Sequence, residues 1–330
     1  MKPDHVPYLR CPQSGRPLEL VDAVLEGGRV RSGTLLEKVE GRRYPIEGFI
    51  PRFVPMENYA KGFGFEWNTH DRTQYDETSQ HGITVDRFYN ETRWSRHLPG
   101  EMILEIGCGS GRFTREAIRT GAMVMSFDYS SAVEANYRSN GQAENVLIVQ
   151  ASIYEVPFAR ESFDKVFCFG VLQHTPDPEL AFASMTRCVK PGGRVASDVY
   201  VKNLGRWLLQ PKYWVRPFVR GSDPARLYQK IQRYIDTMWP LSRMVSRIPK
   251  IGPIINWKLL LPDYSRELPG AGEDVLREWM YLDAMDMLAP AYDSPQTLKT
   301  FRRWHVECGL TDIDVHYGYN GIEGRATRPI

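Results

Sequence analysis

The sequence predicts an α/β fold built on a parallel sheet, and three observations carry that prediction. From Met102 onward, short apolar runs alternate with amphipathic stretches, the pattern of strands joined by crossover helices. A glycine-rich stretch, Gly107-Cys108-Gly109-Ser110-Gly111, ends the first of these runs and opens the first amphipathic one. With 330 residues, 42% of them hydrophobic and 25% charged, the chain can bury one such core with insertions and an appendage. The same composition excludes a disordered, collagenous or coiled-coil protein.

Each element follows in order. Residues 1–55 form a small β-rich block with runs at Leu18–Leu25, Gly33–Val39 and Tyr44–Phe53. Residues 56–100 are aromatic and polar, with Phe63, Phe65, Trp67 and Tyr75 interleaved with His70 and His81, a density of rings that predicts packing over a neighbouring surface or a ligand. Strands are expected at Met102–Ile106, Met123–Asp128, Val146–Gln150, Phe163–Phe169 and Arg194–Tyr200. Helices are expected near Arg112–Arg119, Ala132–Ser139 and Pro178–Val189, with a turn at Lys190-Pro191-Gly192-Gly193. The alternation then stops, and residues 202–290 read as a helical insertion. Its clearest helix opens at Ser222-Asp223-Pro224, a cap followed by proline at the first helical position. Leu227, Tyr228, Ile231, Tyr234, Ile235, Met238 and Trp239 give it one apolar face. Ser294-Pro295 opens another helix, and Thr311–Tyr317 with Gly321–Thr327 read as a terminal antiparallel pair. The core is thus expected over 101–201 and 291–330.

Charge and cysteine usage narrow the setting. Met1–Arg10 carries Pro3, Asp4, His5 and Pro7 where a signal peptide needs an apolar stretch, and no run approaches the length of a membrane span. The five cysteines are far apart and lack a C-x-x-C pair, which fits free thiols in a reducing compartment, so a cytoplasmic protein is expected. The net charge is +2, yet residues 202–258 alone carry +10 and the remainder −8.

The glycine stretch is the most informative. Its glycines permit a tight turn and let a ligand approach bare backbone. Glu105 sets a carboxylate beside it, suited to a cationic amino headgroup and repulsive to a pyrophosphate. The spacing G-x-G-x-G lacks the last glycine of the dinucleotide fingerprint. Asp128 ends the second strand, where a carboxylate can accept both hydroxyls of a ribose.

In order along the chain stand Leu104-Glu105-Ile106-Gly107-Cys108-Gly109-Ser110-Gly111-Arg112-Phe113, Ser126-Phe127-Asp128-Tyr129-Ser130, Val149-Gln150-Ala151-Ser152, Val156-Pro157-Phe158 with Ser162-Phe163-Asp164, Gly170-Val171-Leu172-Gln173-His174-Thr175-Pro176-Asp177-Pro178, and Lys190-Pro191-Gly192-Gly193. Across these motifs the chain resembles the class I S-adenosylmethionine-dependent methyltransferases. The resemblance implies a Rossmann-like, seven-stranded doubly wound sheet and S-adenosyl-L-methionine as cofactor. It implies that Gly107, Cys108, Gly109 and Gly111 line the cofactor, that Glu105 faces its amino end, and that Asp128 binds the ribose. Tyr129 would lie against the adenine, and Phe169, Gly170 and Val171 beside the methionine portion. Ser152 would sit near the adenine's exocyclic amine; the family usually has an aspartate there, which implies that adenine recognition is weaker or is supplied by the backbone amides of Ala151 and Ile153. Asp164 reads as a structural carboxylate at a strand start.

The segments Gly62–Asn68 and Leu288–Pro295 also resemble a subset of these enzymes associated with sugar and natural-product pathways, which implies methyl transfer to oxygen or nitrogen of a small acceptor. Cys11-Pro12-Gln13-Ser14-Gly15 resembles the first knuckle of a Trm112-like zinc ribbon. Ser14 replaces the second thiolate and no further cysteine precedes Cys108, so a degenerate ribbon without metal is expected.

Candidate bases are His174, just past the fourth strand at the edge where α/β sheets bind ligands, and His70 and His81 in the aromatic segment. The basic insertion admits an anionic or sugar-containing substrate, a peripheral membrane contact through 202–258, a solvated face or a homodimer contact. Nucleic acid is disfavoured, since no RNA-binding module is present. Two rival readings stand beside the enzyme: a non-catalytic cofactor-binding partner that activates another methyltransferase, and a nicotinamide-dependent oxidoreductase.

Overall fold

The computed structural model describes residues 1–56, 58–202 and 210–330. The N-terminal block is a four-stranded antiparallel sheet in the order β1 (Glu19–Glu26), β2 (Arg29–Glu37), β3 (Arg42–Glu47) and β4 (Ile50–Pro51). The run expected over Tyr44–Phe53 is split because Gly48 and Phe49 both take positive φ and turn the chain back on itself. Leu9, Cys11, Leu18, Leu35 and Ile46 of this block share one hydrophobic cluster with the strands of the main sheet.

The aromatic segment, for which no element was predicted, forms α1 (Lys61–Thr69), α2 (Asp76–Ser79) and α3 (Ile83–Thr92). A seven-stranded sheet follows, ordered β10-β11-β9-β8-β5-β6-β7. Its parallel members are β5 (Met102–Ile106), β6 (Met123–Asp128), β7 (Val146–Gln150), β8 (Phe163–Cys168) and β9 (Val189–Val199). β10 (Thr311–Gly318) and β11 (Gly321–Thr327) close one edge antiparallel. Helices α4 (Arg112–Arg119), α5 (Val133–Asn140) and α6 (Pro178–Thr186) connect the parallel strands. β7 is buried at all five positions and apolar at the first four, the near-continuous run that a strand covered on both faces requires.

Two local expectations are corrected. Lys190-Pro191-Gly192-Gly193 is not a turn ahead of the strand but part of β9, where a register shift steps the pairing from Phe163 with Val189 to Lys165 with Arg194. Lys190 Nζ is anchored on both oxygens of Asp164 (2.9 and 3.0 Å), which also accepts the Met102 amide at 2.8 Å. The helix expected from Ser294 starts later, as Thr297 caps it by accepting the Thr300 amide at 3.1 Å. The Ser294 and Gln296 amides are instead spent on the Gln173 and Tyr200 carbonyls (both 2.8 Å).

The insertion folds as α7 (Pro211–Val219), α8 (Pro224–Ser246), α9 (Gly252–Lys258) and α10 (Glu273–Leu288), with α11 (Leu298–Glu307) returning to the sheet. Asp223 caps α8 through the Arg226 amide at 3.0 Å. Leu227, Tyr228, Ile231, Ile235 and Trp239 are buried, while Tyr234 faces outward. They pack with Leu276, Trp279 and Met280 of α10 into a cluster of its own, against which Phe65 of α1 rests. Arg206 and Trp207 lie outside the described residues.

α3 is tied to the sheet by a buried triad in which Arg87 donates to Glu91 and to Asp198 of β9. Replacing Arg87 by Met leaves Glu91 without its partner and Asp198 with only the Gly170 amide and the Asn320 side chain, and unfolding in urea above about pH 8 is expected to show a loss of about 3–5 kcal/mol. The loss should shrink as pH falls below about 8, because burial pushes the pKa of Glu91 up to about 8 and protonation removes the stranded charge.

Candidate active site

Strand order reverses beside β5, since β6 and β7 continue to one side and β8 and β9 to the other. The carboxyl ends of β5 and β8 therefore part, and in open α/β sheets that crevice is where ligands bind. A cavity opens there, floored by Gly107, Cys108 and Gly109, walled by Asp128, Tyr129, Ala151, Ile153, Phe169, Gly170 and Val171, and closed by Phe63 and Trp67 of α1.

The floor is bare backbone by construction. Gly107 has φ of +76°, and a Cβ there would lie 2.2 Å from the Val171 side chain. At Gly111 the Cβ would meet Asn136 Oδ1 at 2.1 Å. The Gly109 amide donates to Asp128 Oδ2 at 3.0 Å, while Asp128 Oδ1 accepts the Ser130 amide (2.8 Å) and hydroxyl (2.7 Å). That clamp fixes the carboxylate at the rim of the glycine loop. Burial raises the pKa of Asp128 despite these bonds. Tyr129 stacks on Tyr59 with ring centroids 4.8 Å apart.

Glu105 and Ser152 do not line the cavity. Glu105 is buried behind the floor, where Thr114 and Ser126 (2.8 Å) both donate to its Oε2. Burial pushes its pKa up to about 8 from 4.5. A carboxyl whose folded pKa is raised keeps its proton longer in the folded state, so its contribution to stability falls as pH rises from about 4.5 to about 8. Glu105→Gln should remove that slope, and urea unfolding should show it gaining on the wild type between about pH 5 and about pH 8.

Of the three histidines, only His174 reaches the cavity. It is buried, with Nδ1 3.0 Å from the Tyr292 carbonyl. A carbonyl can only accept, so Nδ1 carries a proton, and in the neutral ring Nε2 holds the lone pair. Nε2 has no hydrogen-bond partner among the described residues and lies 3.9 Å from Asp286 Oδ1. Asp286 Oδ2 accepts the Tyr200 hydroxyl at 3.0 Å. His70 and His81 are corrected as candidates. His70 is buried against Tyr228, with Nδ1 3.4 Å from Glu278, and His81 is spent on the Ser79 and Pro269 carbonyls.

Several residues of the site were missed. Asp286 arrives on α10, and Trp67, although in the aromatic segment, was not assigned a role over Gly109. Arg112 lines the cavity directly after the glycine motif, a position that the sequence did display. Arg216 of α7 donates to the Pro290 (2.7 Å) and Tyr292 (3.3 Å) carbonyls and pairs with Asp293. It thereby holds the loop whose carbonyl orients His174. Among the described residues, no Lys or Arg of 202–258 lines the cavity.

Residues 104–197 match the family model described as "Methyltransferase domain". A ubiquinone biosynthesis O-methyltransferase of Hahella chejuensis is 34% identical over 112 residues, covering 33% of this chain and 45% of the relative. The enzyme of that name from Pseudomonas fluorescens is 33% identical over 138 residues, covering 40% and 60%. The chain thus spans about half the length of the curated relatives it matches. Among solved structures, a SAM-dependent methyltransferase of Methanosarcina mazei aligns with a TM-score of 0.40 at 14% identity, covering 74% of this chain and 97% of that one. Among the described residues, no helix is long and apolar enough to cross a membrane. The glycine cradle and the carboxylate at its rim suit a nucleoside with a charged tail, and residues 104–197 match the methyltransferase-domain family, so the expected cofactor is S-adenosylmethionine.

Proposed function

We propose that the protein transfers a methyl group from S-adenosylmethionine to a hydroxyl oxygen of a small-molecule acceptor. The observation that carries this reading is the meeting, in one cavity, of the glycine floor, the Asp128 carboxylate and the free Nε2 of His174. The O-methyltransferase names of the relatives favour oxygen over nitrogen.

Asp128 would accept the ribose hydroxyls, Tyr129 and the Ala151–Ile153 backbone would hold the adenine, and Phe169–Val171 would flank the methionine portion. Bound there, the sulfonium supplies an electrophilic methyl carbon. His174 Nε2 would take the proton of the acceptor hydroxyl as that oxygen receives the methyl group. The Tyr292 carbonyl keeps the ring in the proton-accepting tautomer, and Asp286 stabilises the imidazolium that results. Phe63, with its ring 5.1 Å from that of His174, helps keep water out.

The insertion over 202–290 acts in this reading as the lid, since it contributes Asp286 and the Arg216 brace. We read residues 1–55 as a degenerate ribbon whose Cys11 thiol, buried 3.2 Å from the Tyr44 hydroxyl, has become a packing group. The likeness of 62–68 and 288–295 to sugar and natural-product enzymes makes such acceptors the first to try. Incubation with trideuteromethyl-labelled S-adenosylmethionine and a panel of phenols, sugars and amines tests the proposal by mass spectrometry. A labelled ether formed only with the protein supports it, and label on nitrogen alone, or on nothing, contradicts it.

A further inference from the structure

A second cavity adjoins the first and shares Trp67, Arg112, Phe169, Gly170 and Asp286 with it. A molecule held there would present itself to whatever lies beside His174. Two more carboxylates line this second cavity, Glu66 of α1 and Asp283 of α10. Glu66 is 1% exposed, and neither of its carboxylate oxygens has a hydrogen-bond partner among the described residues. Leaving a buried polar group unpaired costs about 1–3 kcal/mol and more for a charge. Such a group asks for a partner that the chain itself does not provide.

The charges around it point to the partner's sign. Asp283 and Asp286 each accept a tyrosine hydroxyl, from Tyr264 and Tyr200 respectively. Of the two cations on the wall, Arg87 is engaged by Glu91 and Asp198, and Arg112 lies over the Phe113 ring at 4.5 Å. Three carboxyl groups therefore face one guanidinium that, among the described residues, no carboxylate holds. Among the described residues, none of the Lys and Arg of 202–258 lines this cavity either, so the anionic acceptor expected from the charge of the insertion finds no cation from it here. Trp67, Tyr264 and Trp279 add aromatic wall. Carboxylates set among aromatic rings are the chemistry that binds an ammonium group.

We propose that the second cavity is the acceptor site and that it takes a hydroxylated compound bearing a protonated amine, with the ammonium against Glu66 and Asp283 and the hydroxyl at the Asp286–His174 end. This rests on the methyltransferase reading above and names its substrate class. Burial raises the pKa of Glu66 well above its ordinary value, and an ammonium beside it would favour the ionised carboxylate, with the proton passing to solvent.

Three phenols of one frame and different charge test the proposal: tyramine, 4-ethylphenol and 3-(4-hydroxyphenyl)propionate, titrated calorimetrically into the chain saturated with S-adenosylhomocysteine. Tyramine should bind at least about tenfold more tightly than 4-ethylphenol, and the propionate most weakly. In Glu66→Gln, which keeps the shape and removes the charge, the preference for tyramine should fall to within about threefold. Asp283→Asn is the second variant should the first not fold, with thermal melting as the control. Equal binding of the three, binding by none, tightest binding of the propionate, or an undiminished preference in both variants would overturn the inference and leave the methyltransferase reading intact. Failure of the wild type to bind S-adenosylhomocysteine would instead overturn that reading, and this inference with it.

Discussion

His174→Ala is expected to lower kcat for methyl transfer by roughly 10²- to 10⁴-fold while affinity for S-adenosylhomocysteine stays near that of the wild type. The size follows from the role. A hydroxyl is a poor nucleophile until its proton is removed, and Nε2 is the unpaired acceptor at that end of the cavity. A residue that merely packed there would change KM or stability and would not respond to added base. Exogenous imidazole should therefore restore part of the lost rate in His174→Ala and leave the wild type unchanged. A variant with normal kcat, or one that imidazole cannot rescue, would remove His174 from the chemistry. Arg216→Met is expected to act in the same direction but more weakly, because it frees the 290–293 loop and with it the Tyr292 carbonyl that sets the tautomer.

Asp128→Ala is expected to weaken S-adenosylhomocysteine binding by roughly 10²- to 10⁴-fold, the loss of two charge-assisted hydrogen bonds at about 1.5–3 kcal/mol each. The Gly109 amide also loses its partner, so the glycine floor becomes less well defined. Asp128→Asn keeps one oxygen to accept with and should fall between. Calorimetry reads both directly, and an alanine variant that bound like the wild type would mean that the ribose lies elsewhere.

The parallel strands were legible for a physical reason. β5, β6 and β7 are short and covered on both faces, so they stand in the sequence as near-continuous apolar runs whose ends are sharp. β9 was harder, because Pro191, Gly192 and Gly193 look like a turn and only the pairing with β8 reveals a register shift within a strand. Ser294-Pro295 misled in the opposite way: a cap-and-proline pattern opens a helix only if the following amides are free, and here they pair with Gln173 and Tyr200.

The cofactor side of the site was readable because its residues lie in contiguous motifs at strand ends. Arg112 was in view within the same motif and went unassigned. Apart from His174, the side proposed for the acceptor was not readable. Glu66 comes from α1, Asp283 and Asp286 from α10, and His174 from the turn after β8, so their convergence depends on how the insertion packs through Phe65 onto α1. No spacing in the sequence encodes that. The charge run at 202–258 drew attention to an anion, whereas Arg216 and Lys212 are spent on Asp293.

The central claim is that the cavity at the end of β5 and β8 binds the sulfonium cofactor. Calorimetric titration of the wild-type chain with S-adenosylmethionine, S-adenosylhomocysteine and NADH tests it most directly. Micromolar binding of both sulfur compounds with no heat from NADH is the predicted result. Binding of NADH in their place, or of neither sulfur compound at millimolar concentration, would contradict it.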